Sequence, residues 1–361
     1  MFVFKLLLNL FLSLSFLISS IIGGGNFRPE GAEYMAALTT AVNALVHKNE
    51  IIDTKYFGEA GLDKWSPGDL YEPENIAVVM KEKGKDFIIL NLTDIHFSDY
   101  DIRAWMAFPA IATVKKLVKR VKPDMITVTG DIVCGESTVY AIKRFTGLMD
   151  SFGIPWAPVF GNHDAEGNCD YNYLADVMMK SRTCLLKKGD PALGIGNYVV
   201  NIAEENPAGS PSIIHSLIFM DSNKTHVSAM QTEWYKWAAK GICDSCGKSV
   251  SSSVFFHIPL AEYQYAYDEA WDGENGVWRP GYDAFGALNE KICCDRDQNG
   301  QPVNNGFFAA VLETGTTKNI ICGHDHMNDF SVVYRGVRLS YTLKAGKGSG
   351  YQPGFNGGTV I

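Results

Sequence analysis

The sequence predicts an α/β protein in which strands and helices alternate along the chain. Six short apolar runs have the length and composition of buried strands: DFIILNLTD, DMITVTGD, PWAPVFGNHD, HSLIFMDSN, SVFFHIP and NIICGHD. Three further segments carry apolar residues at helical spacing: AWMAFPAIATVKKLVKRV, STVYAIKRFTGLMDSF and SAMQTEWYKWAAK. This alternation is typical of a layered fold in which helices cover a sheet.

The last elements are a hairpin and a loop. The segment FSVVYRGVRLSYTL alternates apolar and polar residues around Arg335-Gly336, which predicts two strands that turn at this dipeptide. The tail GKGSGYQPGFNGG is rich in glycine but lacks the spacing of a phosphate-binding loop. We interpret it as an ordinary loop.

The domain organisation expected from the sequence is simple. Residues 1–22 contain one lysine, an apolar run and then Ser19 and Ser20, a pattern typical of a cleaved secretory signal, with an uncleaved anchor as the alternative. Residues 23–85 form an N-terminal extension that packs on the domain, and residues 86–361 form that domain. No later stretch reaches the roughly 20 apolar residues of a spanning helix, so we expect a secreted or lumenal protein without a membrane span after cleavage.

Composition restricts the possible functions. The chain has 361 residues, 46% of them apolar, and a net charge of −8. Such a chain can bury a large core, and it offers no broad basic surface for nucleic acid. Any affinity for phosphate groups must therefore come from a local cation.

Eight cysteines in a secreted chain suggest disulfides. The pairings we favour are Cys169 with Cys184, and Cys243 and Cys246 with Cys293 and Cys294. A zinc site formed by Cys243, Cys246, Cys293 and Cys294 is the alternative. Two sequons for N-glycosylation are present, at Asn91 and Asn223. Asn91 lies in an apolar run and should be buried, so Asn223 is the credible site.

Five of the six strand segments end in side chains that bind metals. These ends are Asp94-Ile-His96, Gly130-Asp131, Gly161-Asn162-His163-Asp164, His257 and Gly323-His324-Asp325-His326. The carboxyl ends of strands in an α/β sheet open on one crevice, so these residues should converge. Carboxylates together with imidazoles suit first-row divalent or trivalent metals better than calcium.

The ordered pattern D-x-H, G-D, G-N-H-D, H and G-H-x-H resembles the calcineurin-like metallophosphoesterase superfamily, from about residue 87 to residue 330. Each block alone is common, but five blocks in this order, each behind an apolar strand, are specific. The resemblance implies a four-layer α/β/β/α sandwich with a dinuclear metal site at the carboxyl ends of its strands. It also implies a hydrolase of phosphate esters.

The resemblance assigns roles by position. The first metal would be held by Asp94, His96, Asp131 and His326, and the second by Asp131, Asn162, His257 and His324. Asp131 would bridge ions that sit about 3.5 to 4 Å apart, and a bridging hydroxide would attack phosphorus. His163 would act as general acid, and Asp164 would orient it. The sequence sets no preference among iron, zinc and manganese.

One departure from a known branch is visible. Purple acid phosphatases carry a tyrosine three residues after the Gly-Asp aspartate, where this chain has Cys134. The iron-tyrosinate colour is therefore not expected. The ending GHDHMND, with Asp329, resembles the purple-acid-phosphatase-like proteins that lack this tyrosine.

Three questions stay open at this stage. The aromatic segment at residues 261–286 is either a loop that packs on its own side chains or a wall of the substrate site. A phosphomonoesterase is favoured over a phosphodiesterase acting on nucleotides or phospholipid head groups. An inactive scaffold for protein binding is the alternative outside enzymes, and the sequence gives no oligomeric state.

Overall fold

The computed structural model describes residues 64–97, 104–135, 138–167, 169–207, 209–223, 225–347 and 354–361. The expected signal segment, residues 1–22, lies outside these ranges, as does the part of the expected extension before residue 64. The rest of that extension contains a short 3₁₀ turn at Pro73–Asn75 and strand β1 at Ala77–Met80. Because β1 pairs in parallel with a strand at residues 198–205, this segment contributes an edge to the main sheet.

Two sheets form the centre of the protein. The larger has eight strands in the order β1-β5-β6-β7-β11-β13-β12-β10, and the smaller has four in the order β14-β2-β3-β4. Strands β8 and β9 form a separate pair. The remaining bounds are β2 Ile89–Leu92, β3 Met125–Thr129, β4 Trp156–Val159, β5 Tyr198–Glu205, β6 Pro211–Phe219, β7 Ser251–Phe255, β8 Trp271–Asp272, β9 Val277–Trp278, β10 Ala284–Phe285, β11 Thr317–Cys322, β12 Ser331–Tyr334, β13 Val337–Tyr341 and β14 Thr359–Val360.

Six α-helices lie in the described residues. They are α1 Ala104–Val121, α2 Thr138–Phe152, α3 Tyr171–Met179, α4 Ala229–Cys246, α5 Ala261–Ala270 and α6 Phe307–Thr314. Helix α4 begins with a capping box in which Ser228 and Gln231 each bond the other's backbone amide. The three helices expected from the spacing of apolar residues correspond to α1, α2 and α4.

The side chains sort into two cores, which define four layers. Along β5, Tyr198 and Val200 belong to the core shared with α1, α2, α3 and the small sheet. Val199 belongs to the core shared with α4, α5 and α6. Strand β7 shows the same alternation, with Phe255 in the first core and Val254 in the second. Because strand residues alternate between faces, the order is helices, small sheet, large sheet, helices, which confirms the expected α/β/β/α sandwich.

The hairpin expected at Arg335-Gly336 is confirmed. Strands β12 and β13 pair antiparallel with Tyr334 opposite Val337. Arg335 and Gly336 have φ of 48° and 82°, so both central residues are left-handed, as a type I′ turn requires.

The aromatic segment at residues 261–286 begins as a helix, which the sequence analysis did not expect. Tyr263 and Tyr267 lie four residues apart on the buried face of α5, and the hydroxyl of Tyr263 donates to the carbonyl of Ile320 at 2.9 Å. Trp271 and Trp278 then pack on Tyr267. These rings contact one another and the core, which agrees with the expectation that the segment packs on its own side chains. They lie on a helix and a short strand pair, however, and not on a loop.

The expected disulfides are not formed, and all eight cysteines are free thiols. Cys169 lies beyond the carboxyl end of β4 and contacts Thr138, whereas the backbone of Cys184 forms a β-bridge with Trp156 at the start of that strand, so the two cysteines lie at opposite ends of β4. The cysteines of the other proposed pairs, which are also those of the alternative zinc site, likewise lie at opposite ends of neighbouring strands. Cys243 accepts a bond from Val250 before β7, but the amide of Cys293 donates to Asp325 beyond the carboxyl end of β11.

No helix within the described ranges is long and apolar enough to cross a bilayer. The two sequons differ as expected in burial. Asn91 is fully buried and donates to Thr129 and Thr342, whereas Asn223 is exposed.

Candidate metal centre

All seven expected metal ligands converge at one edge of the two sheets. Strands β2, β3 and β4 run parallel in the small sheet, and β7 and β11 run parallel in the large sheet. Each ligand lies two to four residues beyond a strand: Asp94 and His96 follow β2, Asp131 follows β3, Asn162 follows β4, His257 follows β7, and His324 and His326 follow β11. Strand order therefore brings together residues that lie up to about 230 positions apart.

Asp94, His96, Asp131 and His326 form the first group of donors, with one ligand atom from each within 4.8 Å of the others. The Nε2 atoms of His96 and His326 are 3.1 Å apart. Oδ1 of Asp94 lies 3.5 Å from Nε2 of His326, and Oδ2 of Asp131 lies 3.6 Å from Nε2 of His96. Four donor atoms that face one point in this way suit a single cation.

Asp131, His257 and His324 form the second group. Nε2 of His257 lies 3.3 Å from Oδ2 of Asp131 and 3.2 Å from Nδ1 of His324. Oδ1 of Asn162 lies 3.2 Å from the same Nε2 atom. Asp131 thus belongs to both groups, and its Oδ2 atom faces an imidazole of each.

Two unpartnered oxygens show that the residues fit cations. Oδ2 of Asp94 accepts bonds from the amide of His324 and the hydroxyl of Thr93, and Oδ1 of Asp131 accepts from the amide of His163. The other oxygen of each carboxylate is buried and has no hydrogen-bond partner among the described residues. A buried carboxylate oxygen without a partner is costly. A positive ion between these oxygens and the imidazoles would remove that cost.

The orientation of His257 also fits a metal ligand. Its Nδ1 atom donates to the carbonyl of Thr129 at 2.7 Å, which turns Nε2 toward Asp131 and Asn162. A backbone acceptor for the second ring nitrogen is the usual arrangement for a histidine that binds a metal.

Backbone strain is concentrated at this centre. Asp94, His96, Asp131 and His324 have φ of 50°, 46°, 49° and 76°. The left-handed region is unfavourable for residues with a side chain, and strain of this kind clusters at functional sites. Gly161 permits the close approach of the loops, because a Cβ atom there would lie 2.2 Å from Oδ1 of Asp131.

The buried carboxylates and imidazoles of the centre shift one another's pKa values. Burial alone would lower the pKa of His257, but the nearby carboxylates of Asp131 and Asp94 raise it to about 10. Burial alone would raise the pKa of Asp131, but the surrounding imidazoles, His257 first, hold it at about 2. In the metal-free chain His257 is therefore protonated at neutral pH, and its positive charge partly balances the charges of the two carboxylates.

His163 lies at the open side of the centre, with 40% of its side chain exposed and its Nε2 atom 4.0 Å from Oδ2 of Asp131. Its Nδ1 atom is paired with Oε1 of Glu166. Oε2 of Glu166 accepts from the amide of Gly135 at 3.0 Å. Burial alone would raise the pKa of Glu166, but the bonds from Gly135 and His163 hold it below its usual value, so this carboxylate is anionic.

The expected role of Asp164 needs correction. Asp164 is fully buried, and its two oxygens accept bonds from the amides of Val133 at 2.9 Å and Gly161 at 2.7 Å. Both oxygens are directed into the backbone of the neighbouring loops, so Glu166 and not Asp164 is the carboxylate beside the His163 ring. Burial, together with the charge of Asp131, raises the pKa of Asp164 to about 7. Asp164 braces the loops that carry Asp131 and Asn162.

Cys134 does not join either ligand group. Its thiol donates weakly to the carbonyl of His96, and burial raises its pKa to about 11, further supported by Glu166. The position of the purple-type tyrosine is thus occupied by a protonated thiol that points at the backbone.

Sequence reasoning missed two charged residues of the site. Glu166 had a signal, because it follows His163 by three residues in the turn Gly161 to Gly167. Lys344 had none, because it lies 250 residues after Asp94, whose carbonyl accepts a bond from its ammonium at 2.9 Å. Lys344 is 1% exposed; burial lowers its pKa to about 8, and the charges of Asp94 and Asp131 oppose that fall.

The loop that carries His324 and His326 is fixed by the segment at residues 287–293. Asp325 accepts from the amide of Cys293 and from the hydroxyl of Tyr341. Asn328 accepts from the amides at positions 289 and 290, and Asp329 accepts from the amide at position 287. The chain that follows the aromatic segment therefore packs against the loop that carries His324 and His326 and holds it by hydrogen bonds from its backbone amides.

The fold and these donor groups define an α/β protein with a candidate site for two cations. Residues 87–328 match the family model described as calcineurin-like phosphoesterase, and this match spans most of the chain. The chain belongs to the calcineurin-like phosphoesterase family.

Similar proteins include phosphatases and proteins named as inactive ones. "Probable inactive purple acid phosphatase 14" of Arabidopsis thaliana is 25% identical over 303 residues, which are 72% of this chain and 70% of that protein. "Phosphatase DCR2" of Saccharomyces cerevisiae is 27% identical over 277 residues, which are 69% of this chain and 45% of that protein. Among solved structures, a dimetal phosphatase from Danio rerio aligns with a TM-score of 0.43 and 14% identity, over 72% of this chain and 88% of that one.

Proposed function

We propose that this chain is a metal-dependent hydrolase of phosphate esters, with phosphate monoesters as its substrates. The observation that carries the proposal is the pair of buried, unpartnered oxygens on Asp94 and Asp131, each facing imidazole nitrogens. An inactive scaffold would have no need to keep such a costly arrangement.

The ligands of the two groups are proposed to hold two cations of iron, zinc or manganese. When bound, such cations supply a nucleophilic oxygen at neutral pH and positive charge for the oxygens of the phosphoryl group. The chain's own contribution is to fix the donors before binding: backbone bonds hold Asp94, Asp131 and His257 in the orientation that ligation needs. This preorganisation lowers the reorganisation that binding and reaction require.

His163 is proposed to protonate the leaving oxygen. Glu166 holds the Nδ1 side of its ring, so a proton on Nε2 faces the centre next to Asp131. The partial exposure of His163 leaves room for an ester oxygen beside this nitrogen. Glu166 also stabilises the imidazolium from which the proton is given.

Two other functions compete with this one. A phosphodiesterase acting on nucleotides or phospholipid head groups would use the same donors. The inactive scaffold is suggested by the names of the plant relatives, which are called probable inactive purple acid phosphatases. Against the scaffold stand the convergence of all seven proposed ligands and the presence of His163 with its carboxylate partner.

The test is elemental analysis of the purified chain followed by turnover of a chromogenic phosphate monoester and the corresponding bis-ester. The proposal expects about two transition-metal ions per chain and faster turnover of the monoester. A faster bis-ester would establish the diesterase instead. Full metal occupancy with no turnover of either ester, at concentrations where phosphate binds, would favour the scaffold.

We also propose a secretory route for this protein, because of the N-terminal sequence pattern and the exposed sequon at Asn223. Expression in a eukaryotic secretory host with and without Asn223→Gln tests it. A glycosidase-sensitive mass shift that the variant lacks would support the proposal. Retention of the unmodified chain inside the cells would contradict it.

A further inference from the structure

The segment Thr342–Gly346, which follows strand β13, lies directly against the turn that carries Asp94 and His96. We call this segment the strap. Its residues come about 250 positions after that turn, and the established family pattern ends before it begins. The strap contains Lys344, which is 1% exposed and the only charged side chain among its five residues.

Four contacts join the strap to the strand and turn around Asp94. The ammonium of Lys344 donates to the carbonyl of Asp94 at 2.9 Å, and the amide of Gly346 donates to the same carbonyl at 3.2 Å. The amide of Ala345 donates to the carbonyl of Thr93 at 2.9 Å. Before these, the hydroxyl of Thr342 accepts a bond from Asn91 at 2.7 Å.

The strap also fits the turn closely in space. A Cβ atom at Gly346 would lie 2.0 Å from the carbonyl oxygen of Ile95 and 2.9 Å from that of Asp94. Both obstacles are backbone atoms, which cannot move without moving the turn. Only glycine permits the strap to lie at this distance.

The turn needs such support because its conformation is unfavourable. Asp94 and His96 both have positive φ, at 50° and 46°. Strained residues persist only where the surrounding structure fixes them. Two donors from the strap converge on the carbonyl of Asp94, between the two strained residues.

We propose that the strap is a positioning element of the first metal site, in which Lys344 and Gly346 fix the Asp94–His96 turn and thereby set the affinity of that site for its cation. This inference rests on the proposed function, which supplies the cation. Lys344 acts through the backbone of Asp94: within the described part of the chain, its ammonium donates to that carbonyl and not to a ligand atom of the donor group. It is therefore a positioning residue.

The charge of Lys344 makes the test decisive. A buried ammonium near a cation site repels the cation, so a role through charge alone predicts tighter metal binding when the ammonium is removed. A positioning role predicts weaker binding, because the carbonyl of Asp94 loses a donor and the turn relaxes. Gly346→Ala leaves the charge in place and should weaken binding for the second reason alone.

The experiment is calorimetric titration of the metal-free chain with zinc and with manganese, for wild type, Lys344→Met and Gly346→Ala. Lys188→Met is the matched control for the lysine, since Lys188 is also 1% exposed but pairs with Asp176 of α3. Gly147→Ala is the control for the glycine, since a Cβ atom there meets nothing within 4 Å. Thermal unfolding of each metal-free variant shows that it is folded.

We expect one of the two binding steps to weaken by about 10- to 100-fold in both strap variants, the range found when partners of metal ligands are removed. The two controls should bind like wild type. Tighter binding by Lys344→Met, or wild-type binding by both folded strap variants, would overturn the inference while the proposed function stands. A wild-type chain that binds no metal would overturn both. The two strap variants change different residues, so the test remains valid if one of the two variants does not fold.

Discussion

The ring of His163 is paired through Nδ1 with the carboxylate of Glu166, three residues further along the same loop. The second oxygen of that carboxylate accepts a bond from the amide of Gly135. Glu166 thus connects the proposed general acid to the loop that follows Asp131. This relationship gives His163 a fixed orientation without the participation of Asp164.

Glu166→Gln is expected to lower kcat by about 10-fold or more on esters with poor leaving groups, because the imidazolium of His163 loses its anionic partner. Metal content and KM should change little, since the hydrogen bonds of Glu166 with other described residues are those to His163 and Gly135, neither of which is a proposed ligand. The measurement is a series of aryl phosphates of graded leaving-group pKa. Glu313→Gln, at an exposed glutamate paired with Lys236, is the control. Loss of metal from Glu166→Gln would show that this residue supports the cations instead.

His163→Ala tests the acid itself. Both cations should remain, and turnover should fall by roughly 10²- to 10⁴-fold on poor leaving groups but much less on good ones, which depart without a proton. His226→Ala is the matched control, since His226 is similarly exposed and pairs with Asp295 outside the donor groups. An equal loss on every leaving group would argue against proton donation.

His257 should couple folding stability to pH in the metal-free protein. Its pKa is raised to about 10 in the folded state. The usual value of about 6.5 applies to the unfolded chain. The folded state therefore keeps a proton that the unfolded chain releases, so this stabilisation is complete below the unfolded pKa and is lost as pH rises toward the folded pKa. We expect the free energy of unfolding to fall by about 1 kcal/mol from pH 7 to pH 8.

Metal binding should reverse the sign of this pH dependence. Ligation requires the neutral imidazole, so cations displace the proton, and a rise in pH then favours the loaded, folded state. Urea unfolding of chelator-treated and reloaded protein at both pH values measures the two slopes. Two neighbouring groups also titrate in this window, with opposite signs. Asp164, with a pKa raised to about 7, adds to the fall, because its folded state keeps a proton that the unfolded chain has lost. Lys344, with a pKa lowered to about 8 by burial, opposes the fall, because its folded state loses a proton that the unfolded chain keeps. The same slope with and without metal would contradict the role assigned to His257.

Much of the fold was predictable because its signals are local. Buried parallel strands such as β3 read as continuous apolar runs, and α1 shows helical spacing over its full length. Strand β5 was missed although Tyr198 to Ala203 is mostly apolar. Helix α5 was missed because its tyrosines at positions 263, 265 and 267 recur every second residue and obscure the apolar periodicity that a core-facing helix normally shows.

The proposed metal ligands could be predicted from the sequence, whereas residues that hold these ligands in place, such as Lys344, could not. Each ligand follows a strand, so a motif such as Gly323-His324-Asp325-His326 is contiguous in sequence. Lys344 follows β13 of the large sheet and is brought to Asp94 only by the packing of the two sheets. Asp164 reaches the amide of Val133 through the pairing of β3 with β4. The disulfide prediction failed on the same point, because cysteine spacing does not tell which end of a strand a cysteine lies beside.

The shared carboxylate of Asp131 is the central feature of the account, and the metal content of Asp131→Ala tests it most directly. The matched control is Asp221→Ala, at a buried aspartate that follows β6 in the same way but lies outside both donor groups and accepts bonds from the amides of Ile195 and Asn223. Elemental analysis of the folded proteins should find both cations in wild type and in the control, and neither in Asp131→Ala. Retention of both cations at full occupancy in Asp131→Ala would contradict the bridging role and, with it, the proposed hydrolase.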